Sequence, residues 1–120
     1  MNPKMNPILT NADLACLAGL FDGEGTAGVY LHKQRNNRNI PIRSPQVAVA
    51  MTDPDPIRFL ALCLGGNVYT CGRRTRGNRP VYKWVRAHRK ALHAAQALLP
   101  WVKNESKVEQ LCRITQHYGM

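Results

Sequence analysis

The chain has 120 residues, of which 44% are hydrophobic and 20% are charged, so its composition predicts a buried core and excludes an intrinsically disordered chain. Lysine and arginine number 17 against 7 acidic residues, which gives a formal net charge of +10 at pH 7. An excess of this size on so short a chain predicts a polyanionic partner. We treat residues 1–120 as one domain, in which residues 1–9 form a loose N-terminal arm.

Membrane and secreted proteins are disfavoured by the same sequence. No apolar run approaches the roughly 18 residues that a membrane span needs, and the first residues lack the apolar segment of a secretion signal. The four cysteines are widely separated and include no C-x-x-C pair, which predicts reduced thiols in a cytoplasmic or organellar protein. Among them we expect Cys16 and Cys112 to be small core residues.

The first predicted helix begins at Thr10 or Asn11 and ends near Gly23 to Gly25. Thr10 and Asp13 have the spacing of a capping box, and glycine commonly terminates a helix. One side of this helix is a stripe of larger apolar residues, Leu14, Leu17 and Phe21. Another side is a stripe of very small residues, Ala15, Gly19 and Gly23.

After this helix the hydrophobic period changes from 3.6 to 2, which predicts strands over residues 26–35 and 43–52. The residues predicted to face the core are Ala27, Val29, Leu31, Val47, Val49 and Met51. Those predicted to face outward are Thr26, Gly28, Tyr30, His32, Gln34, Ser44, Gln46, Ala48 and Ala50.

The remaining pattern predicts a helix that opens at residues 53–56 and ends at Gly65, a second hairpin of strands 67–74 and 80–86, and helices over 88–99 and 104–117. The side of the last helix predicted to be apolar consists of Val108, Leu111, Cys112 and Thr115. The alternation leaves the faces of Tyr82 and Trp84 open, with the core slightly favoured for Trp84. His88 and His93 are five residues apart, which is not the spacing of a helical metal pair. The element order is therefore α-β-β-α-β-β-α-α.

Residues 17–25, LAGLFDGEG, resemble the LAGLIDADG motif of the homing endonucleases. They match it at positions one to four, six and nine, and Glu24 replaces the second aspartate. The family also uses the element order just derived, so the resemblance spans residues 10–117. It implies an α+β fold of the αββαββα type, with a curved four-stranded antiparallel sheet and helices packed on one face.

The resemblance further implies a site-specific endonuclease that hydrolyses double-stranded DNA with Mg²⁺ at a long pseudo-palindromic site and is encoded in an intron or a mobile gene. Neither a small-molecule substrate nor a membrane is expected. Because the chain has one copy of the motif, we expect a homodimer paired through the first helix, whose small residues permit close approach. The expected interface residues are Ala15, Ala18, Gly19 and Asp22, and for Asp22 a structural role is favoured over metal binding.

In family terms Glu24 occupies the metal-binding acid position, with the carbonyl group of Gly23 nearby. Two such carboxylates at a dimer axis repel each other unless cations neutralise them, and Mg²⁺ prefers oxygen ligands. The family also uses a lysine near the start of the last helix. Glu105 stands at that position in the most direct alignment, so Lys103 or, preferably, Lys107 is expected to supply the cation.

The sheet is expected to lie in the major groove of DNA, where outward-facing side chains read base edges. On the second hairpin we expect Tyr69, Cys71 and Arg73 to share a face. The complete set of candidate DNA-binding residues is Thr26, Tyr30, His32, Gln34, Arg35, Arg38, Arg43, Ser44, Gln46, Tyr69, Cys71, Arg73, Arg74, Arg76 and Arg79.

Two departures from the family pattern favour an alternative function. Met51 stands where family enzymes often place a glutamine that orders water, and Glu105 stands at the lysine position. The alternative is a catalytically weak or inactive member that binds DNA or RNA, as an intron maturase or a DNA-binding regulator. A third interpretation, a small basic RNA-associated protein, predicts a monomer.

Overall fold

The computed structural model describes residues 9–33, 40–73 and 79–120. The predicted DNA-binding residues Gln34, Arg35, Arg38, Arg74 and Arg76 lie outside these ranges, as does most of the N-terminal arm. His32 and Arg73 lie at the ends of strands, and at these two residues only the backbone is described. Within the described ranges no helix is both long enough and apolar enough to cross a bilayer.

The observed order of elements is the predicted one, and their bounds lie within two residues of the prediction. The elements are α1 (Asn11–Glu24), β1 (Gly25–Lys33), β2 (Pro41–Met51), α2 (Pro54–Leu64), β3 (Val68–Arg73), β4 (Pro80–Ala87), α3 (Arg89–Leu98) and α4 (Glu105–His117). The strands form one antiparallel sheet in the order β1-β2-β4-β3. The helices pack on one face of the sheet and leave an open face, which confirms the predicted α+β class.

Helix α1 begins with the predicted capping box. The Thr10 hydroxyl oxygen accepts the Asp13 backbone N–H at 3.0 Å, and the Asp13 carboxylate accepts the Thr10 backbone N–H at 3.1 Å. The helix ends where the Gly25 N–H donates to the Phe21 carbonyl oxygen. A side chain at Gly25 would collide with the Phe21 ring, so this position requires glycine for close packing.

The core lies between the helices and one face of the sheet. It contains Leu17, Ala18 and Phe21 of α1, and Trp84 of β4 is fully buried among residues from both layers. The Trp84 indole N–H donates to the Gly65 carbonyl oxygen at 2.8 Å, so the one polar atom of this side chain is satisfied. The core placement favoured for Trp84 is therefore observed, and Tyr82, which follows the same alternation, packs against the core as well.

Several predicted core positions differ in the structure. Cys16 is exposed and Cys112 is half-buried, whereas Cys63 of α2 is buried, so the prediction for Cys16 is wrong. Cys16 lies on the exposed side of α1, because the larger residues Leu17 and Phe21 occupy the side that packs in the core. Leu31 is 59% exposed, although it follows the core alternation of β1. On α4 the fully buried residues are Leu111 and Ile114, whereas Thr115 is half-buried.

Helix α1 is joined to the start of α4 by the Asp22 carboxylate. One oxygen accepts the Asn104 N–H at 3.0 Å, and the two oxygens accept the Lys103 N–H at 3.0 and 3.2 Å. These donors precede the first turn of α4, where the helix dipole also favours a negative charge. Asp22 thus makes a structural contact, and its partner in this contact is α4 of the same chain.

We expect Asp22→Ala to lower the free energy of unfolding by about 1–2 kcal/mol, the cost typical of losing a helix-terminal side-chain acceptor. Urea unfolding followed by circular dichroism measures this change. Asp55→Ala is the matched control, because Asp55 is exposed and its ion pair with Arg58 spans 3.5 Å at the surface. Equal losses for the two variants would contradict the role of Asp22.

We expect the thiols of Cys16 and Cys63 to differ in reactivity. Burial raises the pKa of the Cys63 thiol, with smaller contributions from Asp13 and Cys16, so less of the reactive thiolate forms at a given pH. In Cys71→Ser, Cys112→Ser protein, an aromatic disulfide reagent at pH 8 should label Cys16 rapidly and Cys63 only after unfolding in guanidinium. Rapid labelling of two thiols in the folded protein would contradict this packing.

Candidate active site and nucleic-acid interface

Glu24 is the last residue of α1 and its side chain is exposed. The C-terminal end of a helix carries partial negative charge, so a carboxylate there is electrostatically unfavourable. Asp22 lies in the same turn, but backbone N–H donors of α4 compensate its charge. Among the described residues, no hydrogen bond or ion pair is made by the Glu24 carboxylate. It is therefore an uncompensated acid at an unfavourable position.

Lys107 is brought to the same end of α1 by the connection through Asp22. It lies in the first turns of α4, and its ammonium group donates to the carbonyl oxygen of Gly25, the residue that follows Glu24. An ammonium group has three donors, so this bond leaves two for another acceptor. Lys103 lies one residue before the α4 N-cap, is exposed, and contributes its backbone N–H to the bond with Asp22.

Glu105 has a local role that accounts for its side chain. It is the acidic residue of the first turn of α4, where the helix dipole favours a negative charge. The N-cap of the same helix is Asn104, whose side-chain oxygen accepts the Ser106 N–H at 2.9 Å. Lys107, rather than the residue at the aligned position, thus places a cation beside the end of α1.

The residues at this end of α1 offer the oxygen ligands that a divalent metal such as Mg²⁺ prefers, but they are too few to hold it alone. The Glu24 carboxylate and the backbone carbonyl of Gly23 are oxygen ligands, and Mg²⁺ keeps water molecules beside one or two carboxylates. Across the described ranges, however, no three acidic, histidine or cysteine side chains come together. The described residues therefore offer at most part of a ligand set at this end of α1.

The stripe of small residues on α1 lies on the outer surface of the chain. Ala15, Gly19 and Gly23 are exposed, and a methyl group at either glycine would meet no described atom within 4 Å. Packing against the described residues therefore does not explain these glycines. Ala18, by contrast, is fully buried in the chain's own core, and Asp22 is bound to α4. The full burial of Ala18 contradicts its assignment to the interface, whereas the assignment of Asp22 stays a prediction.

The open face of the sheet presents some of the predicted DNA-binding residues. Register pairs Thr26 with Ala48 and Tyr30 with Ser44 on this face. Thr26, Tyr30 and Tyr69 are exposed, and Gln46 and Cys71 are half-buried. Ser44 differs from the prediction because it is only 2% exposed. This short side chain lies opposite the larger Tyr30, and its hydroxyl oxygen accepts the Gln46 amide N–H at 3.3 Å.

The cations near the ends of the hairpins are arranged less simply than alternation predicts. Arg43 is exposed, but it pairs with Leu31, which belongs to the helix-side alternation of β1. Arg79 is exposed just before β4. A bulge between Thr70 and Arg73 interrupts the alternation of β3, so the reason for placing Tyr69 and Arg73 on one face does not hold.

Lys83 is a residue of the open face that sequence reasoning missed. It pairs with Ala50 of β2 and with Tyr69 of β3, so it lies near the centre of the face. Lys83 could have been predicted from the alternation of side chains along β4, but only after deciding which face of the sheet Trp84 occupies. Once Trp84 is known to be in the core, Lys83 must face the other way. A lysine among small residues gives this part of the face a positive charge.

No family model matches the chain, and no curated protein matches it either. Similar solved structures include the homing endonuclease I-CvuI in complex with a DNA target, with a TM-score of 0.70, 17% identity, and coverage of 88% of this chain and 64% of that chain. The group I intron-encoded homing endonuclease I-CeuI, complexed with DNA, gives a TM-score of 0.70 and 14% identity, with coverage of 93% of this chain and 56% of that chain.

An archaeal intron-encoded homing endonuclease, complexed with DNA, gives a TM-score of 0.69, 14% identity, and coverage of 88% of this chain and 66% of that chain. The chain thus spans 56–66% of the length of these three proteins. At this level of identity the likeness establishes the architecture. The chain, with four helices and a four-stranded antiparallel sheet, has the α+β fold of the LAGLIDADG homing endonucleases.

Proposed function

We propose that the chain is a Mg²⁺-dependent, site-specific DNA endonuclease that acts as a homodimer. The observation that carries this proposal is the exposed Glu24 carboxylate at the end of a helix whose outer stripe is glycine and alanine, where the Lys107 ammonium bonds the Gly25 carbonyl. The similar solved structures that were determined with DNA support it, as does the net charge of +10.

Homodimerisation would complete the partial ligand set. Two copies of α1 can approach closely along Ala15, Gly19 and Gly23, because these residues present little or no side chain. Their C-terminal ends then bring two Glu24 carboxylates together. A two-fold axis at this point matches a pseudo-palindromic site, each half of which is read by one sheet.

In such a dimer Glu24 and the Gly23 carbonyl would hold Mg²⁺. A metal held there would supply Lewis-acid chemistry for phosphodiester hydrolysis, by lowering the pKa of a water molecule and offsetting charge on the leaving oxygen. Lys107 would place its ammonium near the scissile phosphate, where it offsets the negative charge that develops. Asp22 would act as a positioning residue, because it fixes the start of α4 and hence the approach of Lys107.

DNA would lie against the open face of the sheet. β1 contains nine residues, and at about 3.3 Å per residue it spans roughly nine base pairs, so two subunits cover on the order of 20. Tyr30, Tyr69 and Gln46 present polar atoms for base edges, and Lys83 offers a cation for phosphate or guanine. The arginines at the tips of the two hairpins remain proposed contacts for the duplex backbone.

The alternative proposal is a protein of this fold that binds DNA or RNA without cutting it. The observation that favours it is Met51, which is half-buried and pairs with Tyr82 on the helix side of the sheet. A thioether there cannot order a water molecule for attack as a glutamine amide could. Cleavage would then be slow or absent, as in a maturase or a regulator.

We expect the wild-type protein to cut DNA from its intron-free insertion locus in Mg²⁺ and Glu24→Gln to cut it at least about 100-fold more slowly, because the amide loses the charge that holds the metal. Gel assays of cleavage and of binding test both properties, and Glu24→Gln should still bind. Glu105→Gln is the matched control and should cut within about threefold of wild type. Tight binding by wild type with no cutting in Mg²⁺ or Mn²⁺ would establish the alternative.

We expect Gly19→Leu to be a folded monomer. A side chain at Gly19 has open space within the chain and raises helix propensity, but it would hold two α1 helices apart. Sedimentation equilibrium should give about twice the 13.5 kDa chain mass for wild type and the single-chain mass for the variant. Gln116→Leu, at an exposed position of α4, is the control and should stay dimeric. A monomeric wild type, or a dimeric Gly19→Leu protein, would contradict pairing through α1.

A further inference from the structure

A cavity of about 520 Å³ lies at the junction between β4 and α3. In the sheet, β4 is two strands away from the edge strand β1. Its lining includes four basic or imidazole side chains, Arg86, His88, Arg89 and Lys90, and no carboxylate. A smaller cavity of about 270 Å³ shares Arg86 and Lys90 with it and adds His93. Cation-lined space without a neutralising acid is typical of a site for an anion.

Arg86 has an unsatisfied polar atom at this junction. Its Nε atom is buried and has no hydrogen-bond partner within the described residues. The guanidinium packs against the Gly65–Gly66 turn, beyond the C-terminal end of α2, and the negative end of that helix favours a cation. The negative end of α2 offsets part of the positive charge of Arg86, but it does not supply a hydrogen-bond acceptor for Nε. A buried donor without an acceptor is uncommon, and a water molecule, an ion or a ligand can satisfy it.

The first turn of α3 adds further cations and unpaired donors to the same place. His88 is the N-cap residue, has a φ of 57°, and makes no side-chain capping bond. Arg89 and Lys90 follow it at the positive end of the helix dipole, where cations are unfavourable. Strain and electrostatic repulsion therefore coincide beside the cavity. A bound anion would relieve the repulsion and meet the free N–H groups.

The position of the cavity indicates which anion it takes. Tyr69, Val85 and Ala87 line it, and register places Val85 and Ala87 opposite Ala48 and Gln46 on the open face of the sheet. Tyr69 pairs with Lys83 on the same face. A duplex on that face therefore continues to the mouth of the cavity. We propose that the β4–α3 junction binds a backbone phosphate of double-stranded DNA, and so extends the contact surface beyond the strands.

This inference rests on the proposed DNA binding, but not on cleavage. Lys90→Gln tests it, because Lys90 is exposed, lines both cavities, and takes no part in the proposed active site. Binding of a random-sequence 30-bp duplex is measured by fluorescence anisotropy between about 50 and 200 mM NaCl, in Glu24→Gln protein without Mg²⁺. Arg58→Gln removes the same charge from the exposed surface of α2 and is the matched control.

We expect Lys90→Gln to weaken binding severalfold at 100 mM salt and to reduce the slope of log K against log[salt] by about 0.9, the value for one phosphate contact. The loss should be the same for different sequences, because a phosphate contact carries no sequence information. Arg58→Gln should keep the parent slope. The melting temperatures of both variants should match that of the parent.

The outcomes separate the two proposals. A Lys90→Gln protein with an unchanged slope overturns the phosphate site, whether or not wild type cuts DNA. A reduced slope in a protein that binds but does not cut supports the phosphate site and contradicts the endonuclease. Absence of any duplex binding by wild type overturns both.

Discussion

The arrangement of this molecule depends on one carboxylate that joins two distant parts of the chain. Asp22 lies in the last turn of α1, and its oxygens accept the backbone N–H groups of Lys103 and Asn104 just before α4. The bond places the positive end of α4 against the negative end of α1, which is favourable for both helix dipoles. It also sets the direction of α4, from which Gln110 accepts the Ala27 N–H of the edge strand β1 at 2.9 Å and Lys107 reaches Gly25.

The same turn of α1 carries a second carboxylate whose charge is left uncompensated. Two acids at the C-terminal end of one helix oppose its dipole, and among the described residues donors that offset this are found for Asp22. Glu24 is exposed, next to a lysine that is engaged with a backbone carbonyl instead. A sequence selected for stability alone would place a neutral or basic residue there. The departure from that rule is a physical reason to place chemistry at Glu24.

Packing among the described residues does not account for two surfaces of the chain. The stripe of Ala15, Gly19 and Gly23 presents backbone where a side chain would fit, which favours a second helix as its partner. The open face of the sheet ends at a junction that combines a buried unpaired guanidinium nitrogen with a strained His88. The first surface fits another copy of the chain, and the second fits a polyanion. Under the proposed function, the first surface would pair with a second copy of the chain and the second would contact a duplex.

The sequence by itself determined the local features of this protein. The capping box of α1, the glycine end at Gly25, the alternation of β1 and β2, and the element order are all set by neighbouring residues, and each was predictable. Tertiary structure decided which residues meet across the chain. No local pattern could identify α4 as the partner of Asp22, or the Gly25 carbonyl as the acceptor for Lys107. Alternation alone only slightly favoured the core for Trp84, and packing of the two layers decided it. Ser44 and Cys16 were misplaced for the same reason, because burial depends on what packs opposite a residue, and periodicity reports only the side of the element on which it lies.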